Sequence, residues 1–465
     1  MLTGALCLLV FLIMALAMYG RRISALLALP LMALAIALIG GIRPEDIVKN
    51  VLATGALKLH AAYTTTMFGA MLAELLNKQG MARALVRWVA EFAGDSPYLL
   101  GVFLTVVTAL LFSTLGGLGA VIMVGTTILP VMLSLGIPGH AAAGLFLFGI
   151  SLGGMFNLTN WQLYSDVLGI DRTSIIAFVV PFALIVCSVI LLLLLVELKE
   201  KRNIKFFLIG LFALACCYPA LSNFTPEQIG ASQLAQDSYL FAAVLIGLLA
   251  IYAAIRQSSK ITTLPGIALF TPLIPLIFVL VFRWDIIPAF MLGITYGVLA
   301  SWKRDSINVL TRSILDGTAA VIPAVLLMMG IGMLITAVMD KNVAEALSPI
   351  MKACVPTHAL SYILGFSCFS FLALYRGPLS LWGMGSGLVA LAKTVTVLSS
   401  QAIMAMLMSV GQIQGICDPT NTANIWIATY LGVDTQVILR RTIPYALLCV
   451  LLGLSLAVAK GFVPW

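Results

Sequence analysis

The stretch GICDPTNTANIW, residues 415–426, interrupts an apolar run that extends over 401–430. Between Asp418 and Asn424 it gathers a carboxylate (Asp418), two hydroxyls (Thr420, Thr422) and two amides (Asn421, Asn424). Groups of this kind are costly at membrane depth and mark paths for solutes and ions. Gly415 and Pro419 also break helical hydrogen bonding. A membrane tolerates such breaks only where the freed backbone is buried in protein or lines a wet cavity. One reading makes the cluster a cation or proton site with substrate-facing hydroxyls. Another makes Asp418, ahead of Pro419, the N-cap of a helix over 420–430. Both can hold at once.

The rest of the chain sets this cluster in a membrane. Of 465 residues, 62% are hydrophobic and only 9% are charged, against about 25% charged in soluble domains. Apolar runs of about 20 residues recur from end to end, long enough to cross a bilayer. Spans fall near 2–20, 23–41, 60–77, 139–168, 173–197, 205–221, 238–255, 265–282, 286–302, 317–338, 401–430 and 442–461. Two further regions, 97–135 and 357–398, each hold two apolar arms around a Gly-rich centre. The expected fold class is an all-α polytopic membrane protein of about 12 transmembrane helices plus two re-entrant hairpins. The first run lacks a basic n-region and a small-residue cleavage site, so it reads as a retained span rather than a signal peptide.

The formal charge of +8 does not point to nucleic acid, because the basic residues sit at span ends, where orientation needs them. Arg21–Arg22, Lys78, Arg83 and Arg87, the 199–205 cluster, Arg256 and Lys260, Lys303–Arg304 and Arg440–Arg441 mark the cytoplasmic side. The loop 222–237 has Glu227 and Asp237 and no basic residue, so it faces outside, and both termini fall outside as well. Residues 81–92, MARALVRWVAEF, set Arg83, Arg87 and Glu91 on one helical face and Leu85, Val89 and Phe92 on the other. That pattern predicts a helix lying on the cytoplasmic interface, with a short linker helix as the plainer alternative. The eight cysteines lie within apolar runs without ligand spacing, and His60, His140 and His358 are far apart. No metal site and no cofactor is expected.

A long repeat underlies the order of spans. YSDVLGID ends at Asp171, and IATYLGVD ends 263 residues later at Asp434. The same offset carries 2–20 onto 265–283, Gly69 onto Gly332, Lys78 onto Lys341 and Thr159 onto Thr422. An odd number of crossings separates equivalent points, so the second half is inverted. Inverted repeats are a mark of secondary transporters. The expected organisation is repeat one over 1–200, a linker with two transmembrane helices over 201–263, and repeat two over 264–465. Asp171 and Asp434 read as caps of the helices that follow. Glu74 reads as an ion-pair partner of Lys78 one turn on.

In each half a double-armed segment precedes an interrupted span. FSTLGGLG (112–119) precedes GGMFNLTNW (153–161), and LYRGPLSLWG (374–383) precedes GICDPTNTANIW. Broken helices expose N–H groups that attract anions and C=O groups that coordinate cations. Arg376 is the only charge between Lys352 and Lys393. If the arms 356–374 and 379–397 both cross the membrane, it sits in an ordinary cytoplasmic turn. If they re-enter, it sits near mid-membrane and can grip a carboxylate with two hydrogen bonds.

The order of span, hairpin, broken helix and span, repeated in inverted form, resembles the ion-transporter superfamily of secondary carriers. Its members include gluconate permeases, citrate–metal symporters and divalent-anion/sodium symporters. The Ser-Asn-Thr tip signature of the sodium-coupled dicarboxylate branch is absent, and STLGG and YRGPLS take its place. The resemblance implies that hairpin tips and helix breaks enclose substrate and cation. Carried onto this chain, it implies substrate contacts from Ser113, Thr114, Gly116, Gly117, Asn157, Thr159, Asn160, Arg376, Gly377, Thr420, Asn421 and Thr422. Asp418, Asn421 and Asn424 would take the coupling ion, H+ or Na+. It further implies an elevator-like permease for a small organic anion, a homodimer in a bacterial-type inner membrane, and no enzymatic step. The alternative is a cation/proton antiporter of similar architecture without an organic substrate. A membrane scaffold without transport is a third class, which the mid-membrane polar cluster argues against.

Overall fold

The computed structural model describes residues 2–19, 22–93, 96–198, 203–222, 234–258, 263–356, 358–377, 379–380, 382, 385, 389, 392 and 398–463. Among these residues every regular element is helical. In chain order the main α-helices are α1 (Leu2–Tyr19), α2 (Ala25–Ile39), α3 (His60–Lys78, preceded by a short helical stretch with a π-helix at Ile47–Thr54), α4 (Met81–Ala93), α5 (Pro97–Phe112), α6 (Gly117–Ser134) and α7 (Gly139–Met155). They continue as α8 (Leu158–Leu168), α9 (Arg172–Leu198), α10 (Asn203–Ser222), α11 (Leu234–Ser258), α12 (Leu273–Leu280), α13 (Ile286–Ala300) and α14 (Ser306–Val338). The last are α15 (Lys341–Cys354), α16 (Ala359–Cys368), α17 (Ser400–Cys417), α18 (Thr422–Leu431) and α19 (Thr435–Ala459). Five of them are long and apolar enough to cross a membrane, or six if the bent pair α7–α8 counts as one span. Several other apolar helices, α2, α5 and α13 among them, are shorter.

Glycine lets the helices approach closely. A Cβ at Gly317 of α14 would lie 2.7 Å from the Ala70 carbonyl of α3, and one at Gly332 would lie 2.3 Å from the Gly55 carbonyl. These two contacts lock α14 along α3 and the segment before it. Around this pair pack α1, α2, α12, α13 and α15. A second group forms around α7, α17 and α19, and it includes α5, α6, α8, α9, α16 and α18. Here Gly149 and Gly153 of α7 meet α5, and a Cβ at Gly153 would lie 2.4 Å from the Ala109 carbonyl. The two groups touch chiefly where α8 packs on α3, with α4 bridging α3, α5 and α6.

Three expectations are corrected. The region 265–282 is not one spanning helix. Pro265, Pro272 and Pro275 each remove a backbone donor, and the chain forms a 3-10 turn, Gly266–Phe270, followed by the eight-residue α12. The arm 356–374 is not one helix either. The α-helix ends at Cys368 and tightens into a 3-10 helix, Ser370–Arg376. Ser370 Oγ donates to the Ser367 carbonyl at 2.7 Å, the local competition that loosens an α-helical ladder. Asp418, finally, is not the N-cap of the following helix: that helix begins at Thr422, and its cap is Asn421. Most of the arm 379–397, with Lys393, lies outside the described residues.

Other expectations hold. Asp434 caps α19 through the Gln436 N–H, and Asp171 accepts from Ser174 at the start of α9. Glu74 lies 4.0 Å from Lys78, whose ammonium also contacts Asp316 of α14. The segment 81–92 is helical, with Leu85 and Val89 buried and Arg83, Arg87 and Glu91 exposed.

Candidate functional site

Both interrupted spans break by the same local chemistry. The first bends by 51° between α7 and α8, 17 helical residues from one end and 11 from the other. The second breaks between α17 and α18, after 18 helical residues and before 10. Asn157 caps α8 by accepting from the Thr159 N–H at 3.0 Å, and Asn421 caps α18 by accepting from the Ala423 N–H at 3.2 Å. An Asn cap satisfies one of the donors that a helix start leaves free. Three residues past each cap, Asn160 and Asn424 reach back across the break. Asn160 Nδ2 donates to the Gly154 carbonyl at 2.7 Å, and Asn424 Nδ2 to the Ile416 carbonyl at 3.0 Å. Each short helix then ends on a left-handed glycine, Gly169 (φ 63°) or Gly432 (φ 65°).

The first hairpin tip docks on the first break. Asn157 Nδ2 donates to both the Phe112 and Leu115 carbonyls, each at 3.0 Å. Ser113 and Thr114 are buried in this tip, and each hydroxyl donates back to its own helix, at Leu110 and Leu111. They retain only acceptor capacity for a ligand. Gly116 caps α6 and Gly117 opens it with φ +82°. Gly116, Gly117 and Gly119 are exposed, and a Cβ at any of them would meet nothing within 4 Å, so the start of α6, where a helix leaves its first N–H groups unpaired, has room beside it. Such groups attract anions.

The second tip meets both broken spans. Trp382 Nε1 donates to Asn160 Oδ1 at 3.2 Å, and Ser380 Oγ donates to Gln414 Oε1 at 2.7 Å. The broken spans are joined directly by Ser151 Oγ, which donates to Gln412 Oε1 at 2.8 Å. Gly377 is buried, and a Cβ there would lie 2.1 Å from the Leu372 carbonyl. Arg376 ends the 3-10 helix of this tip, and its side chain lies outside the described residues. The junction thus brings Ser113, Thr114, Asn157 and Asn160 together with the second tip.

The second break carries the charge. Asp418 is 1% exposed, and its Oδ1 accepts from the Thr420 N–H at 2.9 Å and the Thr420 hydroxyl at 2.7 Å. Thr422 is exposed at the first turn of α18, and Asn421 and Thr159 are half-buried. The two breaks differ in how far they are closed. At the first, Trp161 Nε1 donates to the Met155 carbonyl at 2.7 Å, and Trp382 supplies a donor to Asn160 Oδ1. At the second, Ile425 follows Asn424 where Trp161 follows Asn160. Asn424 is 1% exposed, and its Oδ1 has no hydrogen-bond donor among the described residues. A buried carbonyl oxygen left this way is costly and is a ready ligand for a hard cation.

Sequence reasoning missed Ser151, Ser380, Trp382, Gln412 and Gln414. Two amides two residues apart, Gln412 and Gln414, near the end of the largely apolar Ser400–Cys417 were the available signal for the last pair. It also missed Asp166 of α8, whose carboxylate faces His60 and the Ala62 N–H at the start of α3, where the two helix groups touch.

No family model matches the chain, and no curated protein matches it in sequence. In three dimensions it is similar to the Alcanivorax borkumensis YdaH transporter, known from a crystal structure, with a TM-score of 0.51 and 14% identity over 91% of each chain. The likeness extends over nearly the whole of both molecules, so the two chains share an all-helical fold.

Proposed function

We propose that the chain is a secondary active transporter for a small organic anion, a carboxylate or sugar acid, coupled to H+ or Na+. The observation that carries this reading is the junction itself, where two helix breaks and two hairpin tips meet through Asn157, Asn160, Trp382, Ser380 and Gln412. The fold shared with a known transporter supports it. The first N–H groups of α6 and the guanidinium of Arg376 would hold the anion. Gly377, Thr159, Thr420, Asn421 and Thr422 would line the path. Asp418 and Asn424, with Asn421, would take the cation, because Asn424 Oδ1 alone among the break amide oxygens has no donor among the described residues.

The two repeats would be inverted copies, and the paired caps, glycines and amides at the breaks support that. So does α15, which follows α14 as α4 follows α3. Both hairpins would re-enter. The second tip bonds to both broken spans, through Ser380 to Gln414 and through Trp382 to Asn160. The first tip is held at the break, well inside the α7–α8 span. The group around α7 and α17 would slide against the group around α3 and α14 in an elevator-like motion, within a homodimer in a bacterial-type inner membrane.

Uptake of organic acids into proteoliposomes tests this. Arg376→Gln should abolish uptake while the protein remains folded, and full uptake by this variant would refute the reading. A cation/proton antiporter is the second reading, favoured by the burial of Asp418 beside Asn424. It predicts that Arg376→Gln is silent and that Asp418→Asn stops ion exchange with no organic acid present.

A further inference from the structure

We infer that the groove between α4 and α6 is a binding site for an acidic phospholipid. It lies away from the junction and measures about 380 Å³. Val86 and Ala90 of α4 and Thr127 and Val131 of α6 form its walls, with Arg83 and Arg87 at its rim. Both arginines are exposed, and neither forms an ion pair with any described residue. Glu91 also lines the groove, so the net charge of the lining is positive.

The chemistry separates a lipid from a free anion. An inorganic ion would use the arginines and leave the apolar wall empty. A phospholipid uses both. Its phosphodiester meets the two guanidinium groups, and its acyl chains lie along Val86, Ala90 and Val131, the apolar side chains that wall the groove. Amphipathic basic helices hold acidic lipids by this combination of buried apolar face and cationic rim. The matching helix of the second half makes the contrast. Helix α15 is also amphipathic, but its packing partner is α1 and its exposed charges include Glu345 and Lys352, with no pair of arginines. The basic groove belongs to one half only. A lipid seated there touches α4 and the second arm of the first hairpin at once.

The test is native mass spectrometry and thermal melting of the purified full chain. The additions are phosphatidylglycerol, phosphatidylcholine with the same acyl chains, or inorganic phosphate. Phosphatidylglycerol should be retained and should raise the melting temperature more than phosphatidylcholine does, and phosphate alone should do neither. R83Q/R87Q should weaken phosphatidylglycerol retention about 30-fold, the loss expected for two cations near an anionic surface. V131W fills the groove and keeps both arginines, and it should also reduce retention. Equal retention of the two lipids, or protection by phosphate alone, overturns the proposal. So does undiminished retention in R83Q/R87Q. If that variant is not recovered folded, V131W decides, and unchanged retention there overturns the site.

Discussion

Asn160 and Asn424 occupy the same third position of their half-helices, and each donates its amide N–H back across a break, to Gly154 and to Ile416. Their oxygens part ways. Asn160 Oδ1 receives the Trp382 indole at 3.2 Å, whereas the buried Asn424 Oδ1 receives no donor from any described residue. One break is closed by protein, and the other presents an acceptor. On the proposed function, the cation would sit at the second break and the first would serve as framework.

The first prediction follows directly. Asn424→Ala should remove cation dependence from uptake, or raise the cation concentration needed by tenfold or more, a change of about 1.4 kcal/mol. Asn160→Ala should leave the cation requirement in place and lower stability. Titration of uptake against Na+ and against pH in the two variants separates them.

Asn157 does two jobs that a carboxylate divides. Asn157→Asp keeps the cap acceptor for the Thr159 N–H and loses both donors to Phe112 and Leu115. The tip should come loose while α8 keeps its start. A cost of about 1–3 kcal/mol is expected from the unpaired buried groups, read as a lower melting temperature and faster proteolysis at the tip.

Two glycines should respond in opposite ways to added volume. Gly153 has no room, since a Cβ would lie 2.4 Å from the Ala109 carbonyl. Gly153→Ala should destabilise by about 1–3 kcal/mol through displacement of α5 from α7. Gly119 faces open space. Gly119→Ala should fold normally and weaken substrate binding only if the ligand lies against the first turn of α6.

Much of this was legible because it is local. Caps such as Asp434 depend on a side chain and a backbone N–H two residues away, so the sequence pattern predicts them. The breaks were legible for the same reason: Pro419 and the Asn-Thr text have no place in an uninterrupted membrane helix. What escaped was tertiary. Nothing near Trp382 announces that its indole will meet an amide 222 positions away. The N-cap role went to Asn421 rather than Asp418, because two more residues fit into the second break than into the first. Helix α15 was within reach, since the offset of 263 that relates Asp171 to Asp434 carries residues 81–92 onto 344–355. The length of α16 was not, because the switch from α to 3-10 at Phe369, beside the Ser370 hydroxyl bond to Ser367, leaves no mark in the apolar periodicity.

The most direct measurement is thermal melting of the purified protein across a panel of small organic acids, with and without Na+ and at several pH values. Ligands that bind only the folded state raise its stability, by about 2.7 kcal/mol at a hundred times the dissociation constant. At least one organic acid should raise the melting temperature, and Na+ or a change of pH should enlarge that shift. Arg376→Gln should abolish the acid-induced shift, and Asn424→Ala should abolish its cation dependence. A melt that no organic acid moves, in a protein that still exchanges cations in liposomes, would contradict the account.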